Sequence, residues 1–329
     1  MASLRIELLT DLLGIEESAW DRVIAMSATR SIFQTLAWQR SWWKAFGRGH
    51  LLLIVVYESE QLIGIAPLFA DQGMVYFVGS GGSDYLDFIG MFSNPQLFLS
   101  VLKLARAHAP DFVGFRFYHI PEGSPTIPLL VAIAPELGLN CFDEGTLDAP
   151  SLRFQDWPVA KRLPSQKKSL VRHEHALRKM GQLAVDHFSE ASQIEPLLPA
   201  FFDQHIKRWA ATPFPSLFLD QKQCGFYNIF TQTISSRGWL RFTRVSIDNQ
   251  PIAFHIGFLF QDSFLWYKPS FEIRFADKSP GEVLIRSLLI QSQIEGVQVF
   301  DFGLGDEPFK ERFTTEIRRV RTLSLYAIP

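Results

Sequence analysis

The segment from Phe300 to Phe313, FDFGLGDEPFKERF, places several charged residues and two glycines directly after an apolar run. A D-F-G triplet is typical of protein kinases, in which its Asp binds magnesium and an A-P-E triplet follows later in the chain. This chain has A-P-E first, at 134–136, and it has no H-R-D triplet. The order argues against a kinase, so a different chemistry must explain so polar a segment behind a buried strand.

The composition predicts a globular protein. A chain of 329 residues with 47% hydrophobic and 20% charged residues has material for two ordinary cores, and its length favours two domains. The net charge of −2 argues against DNA or general nucleic-acid binding. The 30 Phe indicate either a Phe-rich core or a wide, flat surface for an extended ligand.

Cysteine usage and hydropathy limit the chemistry and the location further. Cys141 and Cys224 lie far apart without metal-ligand spacing, so we expect two small core residues, no disulfide and no metal. The N-terminal segment lacks the basic start and the apolar run of a signal peptide. The apolar runs at 51–56 and 252–260 are strand-length, far short of the ~20 residues of a membrane helix. We expect a cytoplasmic protein, for which peripheral association with a membrane biosynthetic complex remains compatible.

Two passages of the chain share one order of predicted elements. Residues 55–80 and 245–270 each contain three β-rich segments separated by two polar turns, and an aromatic helical segment precedes each passage. A helix and a further strand follow each, at 95–107 and 112–119 in the first copy and at 281–295 and 297–302 in the second. We therefore predict an α/β protein with a mixed sheet, built from two similar halves, 1–160 and 161–329, that share a groove.

A dense basic segment, KRLPSQKKSLVRHEHALRKMG, joins the two copies. A helix is predicted to begin at Pro164–Ser165 and to stop at Gly181. Helical spacing places one set of side chains on a basic face and another on an apolar face: Lys168, Arg172, His175 and Lys179, against Leu170, Leu177 and Met180. The basic face is either a solvated surface or a binding surface for phosphate, from an acceptor's diphosphate or from an acceptor stem.

Taken in order, six motifs resemble the double-domain GNAT-type acyltransferases typified by the cellulose-biosynthesis protein CelD. They are FQTLAWQRSWWKAFG, GSDYLDF, the basic helix, HIKRW at 205–209, SPGEVL at 279–284 and DFGLGDEPFK at 301–310. The Fem peptidoglycan aminoacyltransferases are similar more distantly. The resemblance implies a tandem GNAT-like fold and transfer of an acyl group from acyl-CoA, most simply acetyl-CoA, to the amine of an amino sugar in polysaccharide or cell-envelope biosynthesis. The resemblance implies a small-molecule or lipid-linked amino sugar as the acceptor.

The resemblance also implies that the second half holds the catalytic centre. N-acylation needs an unprotonated amine, a group that takes its proton and donors for the oxyanion. We expect His205, Asp301 and Lys310 to be catalytic, with Lys310 as the oxyanion donor, and Trp209, His255 and Tyr267 to line the pocket. His255 is the second choice of base. The alternatives are a half-buried spectator for His205 and a turn-capping, strand-end residue for Asp301.

The donor site departs from the GNAT pattern. Acetyl-CoA-using members hold the pyrophosphate on the backbone N–H groups of a glycine-rich turn at a helix N-terminus. Here that turn reads ADKSPGEVL, from which we assign Ser279, Gly281 and Val283 to the cofactor. Pro280 removes one N–H group, and Glu282 adds a repelling charge. Acyl-CoA is nevertheless favoured over an aminoacyl-tRNA donor, because one basic helix is a small footprint for RNA.

The remaining polar candidates are assigned to the acceptor. They are Asp84 and Asp87 beside Tyr85, Lys168 and Arg172 on the basic helix, and Asp306 and Glu307 in the C-terminal loop. Capping of turns, or a solvated turn, explains the acidic residues equally well. Two other functions stay open: a Fem-like transferase that uses aminoacyl-tRNA, and a non-catalytic module that binds glycans on aromatic faces.

Overall fold

The computed structural model describes residues 4–327, and the chain divides into two compact units. Unit 1 contains the described residues up to Asp148 together with those from Arg318 onward, and unit 2 is Ala149–Ile317. The chain passes from one unit to the other within strands β7 (Asn140–Arg153) and β13 (Glu316–Tyr326).

Unit 1 is a mixed sheet with four helices. Its strands are hydrogen-bonded in the order β1-β2-β3-β4-β6-β13-β7, with β5 paired to β3. Pairing is antiparallel from β1 to β4, and β4 lies parallel to β6. The strands are β1 (Leu4–Leu9), β2 (His50–Glu58), β3 (Gln61–Asp71), β4 (Met74–Phe77), β5 (Ile89–Gly90) and β6 (Gly114–Pro121). The helices are α1 (Glu17–Met26), α2 (Leu36–Phe46), α3 (Pro95–Ala107) and α4 (Thr126–Ile133).

Unit 2 repeats this plan with a longer helical insertion. Its strands follow the order β7-β12-β11-β10-β9-β8, with β11 parallel to β12. The strands are β8 (Leu183–Phe188), β9 (Leu240–Ile247), β10 (Gln250–Phe260), β11 (Ser263–Phe271) and β12 (Val299–Asp301). The helices are α5 (Lys168–Arg178), α6 (Ala191–Ile194), α7 (Leu198–Trp209), α8 (Gln221–Ser235), α9 (Pro280–Ile294) and α10 (Pro308–Glu311).

Apolar side chains cover both faces of the unit 2 sheet. On one face α5 and α9 pack against the strands through Leu170, Leu177, Leu284 and Leu288, in one cluster with Trp266 and Phe300. On the other face α7, α8 and the 3-10 turn between them at Leu217–Leu219 supply buried aromatic rings: Phe201, Phe218, Tyr227 and Phe230. Burying each large side chain contributes about 1.5–3 kcal/mol, so the sheet is held rigidly between two apolar layers.

The structure confirms the predicted mixed α/β class. In both units a helix precedes a three-strand meander, and a helix and a further strand follow it: α2, β2–β4, α3, β6 in unit 1, and α7, β9–β11, α9, β12 in unit 2. Helix α8 was not anticipated, although Asp220 gives it a clear start by accepting a hydrogen bond from the Lys222 amide. The prediction of core positions for Cys141 and Cys224 was wrong, because both free thiols are partly exposed.

Candidate active site in the second unit

In the middle of the unit 2 sheet, β12 is much shorter than its neighbour β11. It pairs with β11 over its whole length, from Ser263 opposite Val299 to Leu265 opposite Asp301. Strand β12 ends at Asp301, whereas β11 continues to Phe271. A strand that outruns its neighbour presents backbone N–H and C=O groups to any ligand that carries amides. The backbone of β11 from Trp266 to Phe271 therefore extends past the end of β12, and it is the candidate edge for such a ligand.

A β-bulge lies in β11 just past the point at which β12 ends. Gly257 of β10 lies opposite Trp266, and Ile256 lies opposite Lys268, so Tyr267 has no opposite residue. The Tyr267 amide instead donates a hydrogen bond of 3.2 Å to Nε2 of His255. Bulges redirect side chains and are over-represented beside active sites.

His255 is enclosed rather than exposed to a substrate. It has no solvent-accessible surface, and its ring stacks on Trp266 at 4.6 Å between centroids. Burial lowers its pKa to about 3. Because Nε2 accepts the Tyr267 amide, the ring proton is on Nδ1, which has no partner within the described chain. The imidazole satisfies the bulge, so the structure does not support His255 as the base.

His205 lies on α7 and is also buried, with 2% of its surface exposed. Its ring stacks on Trp209 at 5.6 Å, and Nδ1 lies 2.8 Å from Oγ of Ser216. Since that Oγ already accepts the Phe218 amide, the Ser216 hydroxyl is free to donate to Nδ1. Burial, then the charges of Lys268 and Arg208, lowers the His205 pKa to about 3. His205 is thus neutral and fixes the position of Trp209.

Asp301 and Lys310 both hold the loop that follows β12. Asp301 is buried, and its Oδ1 accepts the Gly303 amide at 2.9 Å, which is the turn-capping geometry. The Lys310 ammonium contacts the carbonyl oxygens of Gly303, Leu304 and Gly305 at 3.4, 2.8 and 3.3 Å. It also pairs with Glu307 Oε2 at 2.6 Å. With its donors engaged in this way, Lys310 organises the loop rather than pointing a free charge at an oxyanion.

Asp306 and Glu307 occupy the exposed tip of that loop. Glu307 is anchored by Lys310, and its carboxylate acts electrostatically on Arg208 of α7. The structure therefore brings Glu307, Arg208 and the His205–Trp209 pair into one neighbourhood. Sequence reasoning missed Arg208. Its signal is its spacing, because Phe201, His205 and Arg208 follow the i, i+4, i+7 pattern of the helix face that packs on the sheet.

The N-terminus of α9 holds the predicted donor-site residues. Ser279 is in the left-handed region, with φ of 54°, and its side chain makes no cap hydrogen bond. Gly281 is partly exposed, and a Cβ built there would contact only Phe271, at 3.8 Å. Val283 is buried in the core and supplies only a backbone group. The N-terminus of α9 thus has no side-chain cap, and there is open space beside Gly281 in its first turn. Both features are compatible with an anionic ligand.

The structure changes the reading of Glu282. Its Oε1 pairs with Arg312 at 2.8 Å, and its Oε2 lies 2.9 Å from Nδ1 of His173 on α5. The carboxylate is therefore compensated within the protein and does not stand as a free repelling charge. The residues present at the start of α9 fit an anionic, phosphate-bearing donor, with Pro280 as the one lost N–H group.

Helix α5 confirms the predicted segregation of its faces in part. Lys168, Arg172, His175 and Lys179 are exposed, and Leu170 and Leu177 are fully buried, whereas Met180 is exposed. His173 of α5 contacts Glu282 of α9. Arg172, a member of the basic face, is the residue before His173 and lies against its ring. The basic helix lies beside the candidate donor site.

Asp84 and Asp87 belong to unit 1. Asp87 is buried, and its carboxylate accepts hydrogen bonds from Thr29, Thr126 and the Phe88 amide. Burial raises its pKa. Asp84 is partly exposed in the turn just before it. The bonds of Asp87 join the loop after α1, the start of α4 and the turn itself, which is the capping role that the sequence left open.

The comparisons with known proteins identify the type of domain. Residues 164–311 match the acetyltransferase (GNAT) domain model. The match begins at Pro164, within the basic segment, ends with α10 and contains every predicted site residue of unit 2. The predicted enzyme class, an acyltransferase of the GNAT superfamily, is confirmed. No curated protein matches the sequence.

Solved structures match nearly the whole chain. The C-terminal domain of a lysylphosphatidylglycerol synthetase from Agrobacterium fabrum, described as putative, has a TM-score of 0.57 and 15% identity, covering 95% of this chain and 92% of that one. FemX has a TM-score of 0.65 and 10% identity, covering 96% and 97%. A tandem GNAT protein from the clavulanic acid pathway has a TM-score of 0.56 and 13% identity, covering 99% of each. These likenesses confirm the predicted tandem GNAT-like fold.

Membrane-spanning helices and metal-binding clusters are both absent from the described residues. No helix among residues 4–327 is both long enough and apolar enough to cross a membrane. Within the same residues, no group of three or more His, Cys, Asp or Glu side chains is arranged to hold a metal ion.

Proposed function

We propose that unit 2 transfers an acyl group from acyl-CoA to the amine of an amino sugar or a similar acceptor in polysaccharide or cell-envelope biosynthesis. The observation that carries the proposal is the β11 edge that continues past the end of β12, with its bulge at Tyr267, together with the uncapped start of α9 near Phe271. The resemblance to CelD-like proteins, and neighbours named FemX and lysylphosphatidylglycerol synthetase, support a cell-envelope acceptor.

The donor is held in two places. The start of α9, at Ser279 and Gly281, receives the diphosphate, and Lys168 and Arg172 of the neighbouring α5 supply the positive charge that the turn itself lacks. The amide-bearing arm lies along the backbone edge of β11 between Trp266 and Phe271. Bound acyl-CoA supplies a thioester carbonyl that an amine can attack.

The acceptor enters from the side of α7. Trp209, fixed by its stack on His205, forms one wall, and Tyr267 and the tip of the loop at Asp306 and Glu307 form others. The Glu307 carboxylate attracts the acceptor's ammonium group, takes one proton from it and gives that proton to water. The neutral amine then attacks the thioester carbonyl, the C–S bond breaks, and the second proton of the amine passes to the leaving CoA thiolate. Asp301 and Lys310 keep that loop in place, so they act through position.

Calorimetric titration with acetyl-CoA and with longer acyl-CoAs tests the donor. The proposal predicts binding of at least one of them, and release of free CoA when glucosamine or another amino sugar is added. Absence of heat with every acyl-CoA, together with salt-sensitive binding of aminoacyl-tRNA, would contradict it and favour a Fem-like donor. Stabilisation by sugars alone would instead indicate a non-catalytic glycan module.

A further inference from the structure

Arg208, the residue before the end of α7, has unused hydrogen-bonding capacity. Its side chain is partly buried, with Cζ 4.3 Å from the ring centroid of Phe271 and 5.6 Å from that of Trp209. Within the described chain, its guanidinium makes no hydrogen bond and no ion pair, only these ring contacts and a longer-range attraction to Glu307. Five N–H donors on a half-buried cation therefore have no protein acceptor.

Such an arrangement is costly unless a ligand completes it. A cation that is partly removed from water and has no protein acceptor is destabilised, and a bound anion would relieve that cost. In agreement with this, burial lowers the pKa of Arg208. A planar guanidinium held against a ring is also preorganised, because little side-chain freedom is left to lose when it binds a carboxylate or phosphate with two hydrogen bonds.

Groups near Arg208 also favour an anionic ligand. Nε1 of Trp209, the next residue, is buried and has no hydrogen-bond partner within the described chain. Lys268 lies over the Tyr267 ring at 4.1 Å and, together with Arg208, acts electrostatically on His205. Two cations and an unused N–H donor thus face one wall of the acceptor site, and Glu307 is the nearby group of opposite charge.

We propose that Arg208, assisted by Trp209 Nε1, binds an anionic group of the acceptor, a phosphate or a carboxylate. The acceptor is then an amine that also carries an acid, with its ammonium directed to Glu307 and its anion to Arg208. This inference rests on the proposed function, since it names the substrate class of the same site. It adds a specificity-determining residue that lies outside the donor site.

Binding tests the inference without requiring turnover. Glucosamine, glucosamine 6-phosphate, muramic acid and inorganic phosphate are titrated calorimetrically into the wild type and into Arg208→Gln, Arg208→Lys and Arg237→Gln. Arg237 is the matched control, because its Cζ also lies 4.3 Å from a ring, that of Trp239, outside the site. The two amino-sugar acids distinguish a phosphate from a carboxylate.

The expected result is tighter binding of glucosamine 6-phosphate or muramic acid than of glucosamine by the wild type. Arg208→Gln weakens binding of the acidic ligand about tenfold or more, Arg208→Lys weakens it less, and Arg237→Gln leaves it unchanged. Equal affinity of the wild type for neutral and acidic sugars, or wild-type affinity in Arg208→Gln, would overturn the proposal.

Kinetics separate this inference from the proposed function. If transfer occurs, Arg208→Gln raises KM for the acidic acceptor about tenfold and leaves KM for glucosamine unchanged. An equal rise for both acceptors contradicts a role in anion recognition. If no acyl transfer is detected, the proposed function fails, and the binding series still decides whether Arg208 is an anion site.

Discussion

Helices α3 of unit 1 and α9 of unit 2 occupy the same place in the repeated order of elements, and both begin with a proline. Their first turns differ. In α3 the side chain of Asn94 accepts hydrogen bonds from the amides of Gln96 and Leu97. In α9 the side chain of Ser279 accepts none. Unit 1 therefore satisfies the start of its helix with a side chain, whereas the start of α9 in unit 2 has no side-chain cap.

The strand pairs that precede and follow these helices differ in the same direction. Beside β6, unit 1 packs Phe77 against Phe117 at 4.6 Å and Tyr76 against Tyr118. The chain after β4 also bonds to the end of β6 through the Leu86 amide and the His119 carbonyl. Among the described residues the parallel pairing is short in both units, with two residue pairs between β4 and β6 and three between β11 and β12. Unit 2 differs by the bulge at Tyr267. We propose that unit 1 serves as scaffold and that unit 2 holds the cleft.

The largest expected difference concerns acid stability. His205 and His255 of unit 2 must stay neutral in the fold, with pKa values of about 3, whereas an unfolded histidine has a pKa near 6.5. Stability is fully present above pH 6.5 and falls as the pH drops toward 3. At pH 5 the loss is roughly 2 kcal/mol per histidine. Urea unfolding at pH 7.5 and pH 5 measures it, and His205→Gln with His255→Gln reduces the slope.

Unit 1 is expected to behave differently. Burial raises the pKa of Asp87, so this carboxyl favours the fold only at low pH and adds no loss between pH 7.5 and pH 5. Equal stability of the wild type at both values would contradict the account of the two histidines.

Loss of the Lys310 ammonium is expected to have the next largest effect. Lys310→Met leaves the carbonyls of Gly303, Leu304 and Gly305 without their shared donor, so the loop loosens. Turnover should fall about a hundredfold, because small displacements of positioning groups have effects of that size. Glu311→Gln, on the exposed side of α10, should retain full turnover. Wild-type turnover in Lys310→Met would show that the loop is not part of the active site.

Substitutions at one glycine in each meander compare how tightly the two meanders are packed. A Cβ at Gly257, opposite the bulge, would lie 2.5 Å from the Leu265 carbonyl oxygen and 2.3 Å from Cε1 of His255. A Cβ at Gly64 of β3 would lie 3.0 Å from the ring of Phe92 and 3.5 Å from Cβ of Val56, so it would meet side chains and no backbone atom within that distance. Gly257→Ala should therefore lower the free energy of unfolding by about 2–3 kcal/mol, and Gly64→Ala by less than about 1. The reverse order in urea unfolding would show that the bulge is not a tight structure.

The smallest expected effect concerns a negative charge placed at the N-terminus of α9 or of α3. Gly281→Asp places a negative charge at the second position of α9 and should raise KM for acyl-CoA about tenfold with little change in kcat. Gln96→Asp makes the same change at the second position of α3. It should leave KM unaltered. Equal responses from both variants would mean that the start of α9 holds no donor.

Local patterns were sufficient to predict most elements. The bounds of α3 were predicted to the residue, and α9 begins one residue earlier than expected. Periodicity and turn residues act over a few positions, which is why they succeed here. The bulge at Tyr267 depends on the register between two strands, and no local pattern specifies it.

The roles of individual polar residues were harder to predict for the same reason. The sequence shows Lys310 near glycines, but only the folded loop turns three carbonyls toward its ammonium. It shows His255 in an alternating strand, but the Tyr267 amide that occupies Nε2 comes from another strand. The predicted groove shared by the two halves stays a prediction.

Hydrogen–deuterium exchange with and without acetyl-CoA tests the central claim, that unit 2 alone carries the donor site. The account predicts protection of two unit 2 segments, the start of α9 at 279–284 and the β11 edge at 266–271. The corresponding start of α3, at 94–99, should exchange at the same rate with and without the ligand. Protection at the start of α3, or none at the start of α9 under saturating acetyl-CoA, would contradict it.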